Sequence, residues 1–186
     1  YHMNRCKWCN LENSKYVDYH DSEWGILNLD ENYLFEMLVL ESFQAGLSWE
    51  CILNKRNAFA QAFDNFDIDK IINYDEVKIN SLNNKDIVRN KLKINATINN
   101  ALIFKTIEKE KGSFKNYILK YFRKYPIYEV GKTTSVISDN ISNDLKLRGM
   151  KFVGSTIIYS YLQAIGLINS HENDCFLYQS SEKNQN

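Results

Sequence analysis

One proline and seven glycines are all that punctuate this chain of 186 residues. A sandwich or barrel of short strands needs a turn every ~8–12 residues, and Gly and Pro supply many of those turns. A sequence so poor in both favours long elements joined by few turns. The expected fold is therefore all-α, in one domain over residues 1–186, with 44% apolar and 25% charged residues as in ordinary globular chains. No run of about 18 apolar residues occurs, so no membrane segment is expected. The N-terminus lacks the basic-then-apolar layout of a signal peptide. Tyr1 and His2 read as an expression remnant ahead of Met3, and the polar stretch 180–186 as a frayed end.

Caps and apolar spacing place the helices. Asp30 caps one that carries Tyr33, Leu34, Leu38 and Ala45 and stops at Gly46; Ser48 caps the next, over 49–63. Short helices are expected over 67–73 and 75–82, then a tight turn at Asn83, Asn84 and Lys85. A long helix over 86–112 carries Ile87, Ile94, Ile98, Ala101 and Leu102 at helical spacing. Others are expected over 114–124, ending before Pro126, over 138–147 and over 152–165. No strand alternation stands out.

The net charge is zero, but the charges are segregated. Residues 1–77 hold six Lys/Arg against fourteen Asp/Glu, whereas residues 78–124 hold twelve against three. That local excess of nine positive charges suits a phosphate-bearing partner, since each neutralised phosphate releases counterions. A solvated basic helix without a partner has the same composition.

Cys6, Cys9, Cys51 and Cys175 accompany two histidines once His2 is set aside. Without a secretion signal no disulfide framework is expected, and the compartment is read as reducing and cytoplasmic. Cys6 and His20 lie near one end; His171 and Cys175 lie near the other, spaced to share one face of a helical turn. Two Cys and two His can close a tetrahedral zinc shell with no free position, which is structural rather than catalytic. Spacing alone leaves open chance placement, and Cys6-x-x-Cys9 as a redox or ligand pair.

Trp8, Tyr16, Tyr19 and Trp24 crowd the first 24 residues, and all three tryptophans precede residue 50. Such clusters usually pack cores; they also form pockets whose ring faces sandwich an extruded base, at about 1–3 kcal/mol per stack. Glu41 is the sharper signal. It interrupts the stripe Leu34, Leu38, Ala45 on the helix from Asp30, where a carboxylate is unfavourable unless paired or used. Gln44 adds a second polar group nearby. A glutamate that merely bonds a neighbouring backbone group would leave the same pattern.

The segments Arg5-Cys6-x-Trp8, Tyr19-His20-Asp21-x-Glu23-Trp24-Gly25, Leu34-Phe35-Glu36-Met37 and Leu40-Glu41-x-x-Gln44-Ala45-Gly46-Leu47-Ser48-Trp49 occur in order. Arg148-Gly149-x-Lys151-Phe152-Val153-Gly154 and Gly166-Leu167-x-x-x-His171-x-x-x-Cys175 follow. Together they resemble the bacterial 3-methyladenine DNA glycosylase I family over nearly the whole chain. The resemblance implies a helix-hairpin-helix glycosylase fold whose termini are joined by one structural zinc, held by Cys6, His20, His171 and Cys175, with Cys9 a bystander. It implies that Glu41, as the catalytic residue, and Tyr19 contact the damaged base, that Trp49 stacks on it, and that Tyr16, Trp8 and Trp24 complete the walls. Two departures stand out. Phe43 occupies a position that is often polar in the family, which would make that wall more apolar. The hairpin at 83–86 lacks the usual glycines, although it lies in the basic block; Lys85, Arg89 and Lys91 are the expected phosphate contacts there, with the amides of the following helix.

The resemblance further implies a monomer acting on double-stranded DNA that carries alkylated adenine. It would flip the base and hydrolyse the N-glycosidic bond without strand cleavage. N3-methylation leaves the adenine cationic in the nucleotide, which suits a carboxylate and aromatic faces. A non-catalytic zinc-stabilised DNA-binding module is the main alternative, but it has no use for Glu41. A zinc hydrolase or deaminase needs an open metal position, and four candidate ligands leave none.

Overall fold

The computed structural model describes residues 3–83 and 86–179; Tyr1, His2, Asn84, Lys85 and 180–186 lie outside the described residues. In chain order the helices are α1 (Ser14–Ser22), α2 (Glu31–Gln44), α3 (Trp49–Asn54), α4 (Arg56–Ala62), α5 (Ile68–Ile71) and α6 (Glu76–Leu82). They continue with α7 (Lys91–Lys111), α8 (Phe114–Leu119), α9 (Val136–Leu147) and α10 (Ser155–Ala164). Side-chain caps start most of them: Asp30 accepts from the Tyr33 amide, Ser48 from Cys51 and Asp75 from Lys78, each satisfying an amide without a helical partner.

The core is built around α2. Leu34, Phe35 and every residue over 37–43 are buried, so this helix is enclosed on all faces rather than along one stripe. It packs on α3, α7, α8 and α10. Glu41 therefore sits deeper than a stripe reading implies. None of the helices among the described residues is long and apolar enough to cross a membrane.

Several boundaries differ from expectation. The helix expected over 49–63 is broken at Lys55, whose ψ of 4° ends α3 and starts α4. The long helix begins at Lys91, not at residue 86, because extended Asn90 takes the cap and accepts from the Lys93 amide. Ile87 is buried from the preceding loop, and Leu102 faces solvent. Helix α8 stops at Leu119, short of 124, and α10 starts only after Gly154. The sequence reading missed a two-residue parallel pair, β1 (Ile127–Tyr128) with β2 (Ile168–Asn169), in register Ile127↔Ile168.

Helices α9 and α10, joined by the hairpin 148–154, form a helix–hairpin–helix unit hung on α7. The Asn99 amide donates to the Gly149 carbonyl at 2.9 Å. Asn100 donates to the Lys151 carbonyl and accepts from its amide, both at 2.9 Å. Ser142 of α9 donates to the Val153 carbonyl at 2.7 Å.

Candidate functional site

Cys6, His20, His171 and Cys175 converge: all four are buried, with their ligand atoms within 4.8 Å of one another. Cys175 Sγ is 3.5 Å from His20 Nε2 and 3.5 Å from His171 Nδ1, and Cys6 Sγ is 3.7 Å from His171 Nδ1. The outward nitrogens are occupied. His20 Nδ1 is 2.8 Å from Asp21 Oδ1, itself held by Arg5, and His171 Nε2 is 3.0 Å from the Trp24 carbonyl. Fixing the outer nitrogen aims the inner lone pair at a metal. The amides of Glu172 and Leu177 donate to Cys6 Sγ and Cys175 Sγ, at 3.2 and 3.4 Å. Burial pushes the Cys6 thiol up to about 12 and pulls His171 down to about 4. Four buried sulfur and nitrogen donors converging on one point form a metal site, and a bound cation would offset the cost of ionising the thiols there.

His171 and Cys175 do not share a helical turn as their spacing suggested. They lie in an irregular turn closed by the Cys175 amide on the Glu172 carbonyl at 2.8 Å. Cys9 stays outside the cluster; its thiol faces the Tyr16 carbonyl at 3.8 Å. Glycines let the two ends meet. Gly25 has φ +76°, and a side chain there would press on the His171 ring at 3.3 Å. A side chain at Gly166 would fall 2.1 Å from the Ile26 carbonyl carbon, so that backbone approach requires glycine.

Beside the cluster opens a cavity of about 330 Å³. Its walls include Trp8, Tyr16, Tyr19, Trp24, Glu41 and Trp49, six residues singled out from the sequence. Tyr19 and Trp49 lie ring to ring at 5.3 Å, and Trp8 meets Trp24 at 4.8 Å. Glu41, on α2, is 3% exposed and forms no hydrogen bond with any described residue. Burial alone raises its carboxyl pKa to about 8. Trp49 Nε1 is likewise buried without an acceptor. Burial, and then the charge of Glu41, hold the Tyr19 phenol well above its ordinary value. A buried carboxyl without a partner on the wall of an aromatic cavity leaves hydrogen bonds for a ligand to complete.

The methyladenine glycosylase family profile matches residues 8–178. The chain belongs to this family. It is 38% identical over 178 residues to DNA-3-methyladenine glycosylase of Haemophilus influenzae, covering 92% of this chain and 96% of that one. It is 37% identical over 188 residues to DNA-3-methyladenine glycosylase 1 of Escherichia coli K12, covering 97% and 100%. A crystal structure of a 3-methyladenine DNA glycosylase I superposes with a TM-score of 0.90 at 37% identity, over 95% of this chain and all of that one.

In this methyladenine glycosylase the cavity has a further wall that sequence reasoning missed: Ser160 and Gln163 of α10, Ser170, Glu172, and the loop Val130, Gly131, Lys132. The β1–β2 pair carries that loop to the rim. Ser160 and Gln163, three apart in the otherwise apolar and aromatic stretch 157–164 of α10, were a readable signal; the loop left none. Phe43, expected to alter a cavity wall, instead packs on Phe59 at 4.8 Å and Phe63 at 6.0 Å. It lies on the side of α2 away from the cavity, because 43 falls two positions, or about 200°, past Glu41 on the helix.

Two of the twelve basic residues of the block are otherwise engaged. Lys93 is buried and Lys105 is paired with Asp69. Arg89 and Lys91 are exposed before and at the start of α7, whose first turn is already capped by Asn90; Lys85 lies outside the described residues. Helix α10, by contrast, follows Gly154 with no side-chain cap, although Asp139 accepts from the Ser155 hydroxyl in its first turn; Lys151, on the hairpin, and Lys146, at the end of α9, are exposed.

Proposed function

We propose that this enzyme removes 3-methyladenine from alkylated double-stranded DNA by hydrolysing the N-glycosidic bond. The observation that carries the reading is Glu41, buried, unpartnered and facing a cavity walled by five aromatic side chains. A purine flipped from the duplex stacks between Trp49 and the Trp8–Trp24 wall while Glu41 bonds its edge. The lesion is cationic in the nucleotide, and its charge beside Glu41 draws the carboxyl to its ionised form, so that carboxylate and the ring faces favour it over ordinary adenine. Water attacks the sugar C1′, the bond to the base nitrogen breaks with its electron pair going to the purine, and the water proton is released. The base leaves neutral, and the strand stays intact. Base release from methylated duplex by purified protein, resolved chromatographically, tests this; no released 3-methyladenine would overturn it.

The phosphate grip is assigned to the hairpin 148–154, because the amides opening α10 lack a side-chain acceptor and meet an anion readily. Arg89 and Lys91 give a second, weaker contact. The metal is assigned as one structural zinc per chain. Tetrahedral zinc with bonds of about 2.3 Å to sulfur and about 2.0 Å to nitrogen sets sulfur–nitrogen edges of about 3.5 Å. Three of the sulfur–nitrogen separations, at 3.5 to 3.7 Å, match that edge. Bound there, zinc supplies a cross-link between the ends. A monomer in a reducing bacterial cytoplasm fits four free cysteines.

A further inference from the structure

Lys93 is the third residue of α7, and only 7% of it is exposed. No carboxylate pairs with it among the described residues. Its Nζ donates instead to the carbonyls of Phe43, at 2.9 Å, and Ala45, at 2.6 Å. These end α2, where the helix dipole favours a cation. The same ammonium lies 5.8 Å from the centre of the Phe152 ring, on the hairpin 148–154. Phe152 holds φ +57°, a left-handed conformation that is unusual for a bulky residue. One buried side chain thus touches two parts of the molecule, in addition to the packing of α10 on α2. The first is the turn that follows Glu41 and Gln44 and leads to Trp49. The second is the hairpin assigned to the DNA backbone.

We propose that Lys93 and Phe152 are positioning residues that fix the base cavity relative to the phosphate grip. This rests on the assignment of cavity and hairpin above. Excision needs both at once, since the flipped base and the held phosphate belong to one nucleotide strand. A misplacement of about 1 Å can lower a rate ~100-fold. Free purine needs only the cavity, and undamaged duplex only the grip, so neither affinity depends on their relative position.

The test is Lys93→Met, which keeps length and removes charge, and Phe152→Leu, which leaves the α2 cap intact if the first variant folds poorly. Base-release rate from methylated duplex, affinity for free 3-methyladenine and affinity for undamaged duplex are each normalised to folded protein. The expected result is a fall in release of at least ~30-fold with both affinities within about threefold of the parent. Release unchanged per folded molecule would overturn the proposal. So would a loss of free-base affinity in step with release, which makes Lys93 a support for the cavity alone. A parent protein that neither binds nor releases the base removes the functional reading, and this one with it.

Discussion

The ring of His171 touches the metal cluster with one nitrogen and the backbone of Trp24 with the other. A carbonyl oxygen only accepts, so the 3.0 Å contact to Trp24 places the proton on Nε2 and leaves Nδ1 facing both cysteine sulfurs. A ligand from one end of the chain thereby holds a wall residue from the other. A ring contact repeats the link, Trp24 on His171 at 4.7 Å, and Trp8 packs on His20 at 5.3 Å within the N-terminal segment.

Cys175→Ser or Cys6→Ser should lose the metal, and Cys9→Ser should keep it. If the cross-link is worth about 3 kcal/mol, its loss lowers Tm by roughly 6–12 °C for a chain of this size. Metal analysis with thermal melts checks this. Full metal content in Cys175→Ser would remove that residue from the ligand set.

Glu41 makes stability depend on pH. Its folded pKa of about 8 stands above the ordinary 4.5, so folding favours the neutral acid. Stability from this group is intact below about pH 4.5 and falls as pH rises through about 8, at about 1.4 kcal/mol per unit. Glu41→Gln should therefore gain stability over the parent between about pH 5 and 8. Denaturation at the two ends of that window is the measurement; a pH-independent difference would mean that the carboxyl is not buried as described.

In the cavity, Glu41→Ala should abolish base release and free-base binding while sparing affinity for undamaged duplex. Trp49→Ala should weaken free 3-methyladenine binding by about 1–3 kcal/mol. Both are normalised to folded protein by circular dichroism. Full activity per folded molecule in Glu41→Ala would end its assignment.

DNA affinity should fall steeply with salt. Charge reversal at Lys146 and Lys151, beside the hairpin, should reduce affinity and salt slope more than reversal at Arg89 and Lys91. Titrations of undamaged duplex at several salt concentrations decide between them; the opposite ranking would place the grip at the start of α7.

Local chemistry was legible and assembled geometry was not. Asp30, Ser48 and Asp75 announce their helices because a cap bonds an amide three residues on. The break at Lys55 depends on backbone angles that neighbouring side chains do not dictate, and Asn90, the cap that starts α7, is one of several asparagines in its stretch of the sequence. Glu41 was visible as a charge among apolar residues. The cavity wall at Val130–Lys132 was not, since a strand pair of two residues has no periodicity to read. Lys93 is hidden for the opposite reason: in a lysine-rich block, composition cannot tell the buried one from the solvated ones. The metal set needed the family resemblance, because its members lie at opposite ends of the chain.

That last separation has a consequence for synthesis. The chain leaves the ribosome N-terminal end first, so Trp8 and Trp24 emerge long before His171 and Cys175. Until residue 175 has emerged, Cys6 and His20 lack the partners that complete their cluster, and Trp24 lacks the His171 ring that packs on it. The cluster behind the aromatic wall is thus completed only after all of α1–α10 have been made. A fragment that stopped short would carry the helices and the lysines of a DNA-binding protein without the means to excise anything.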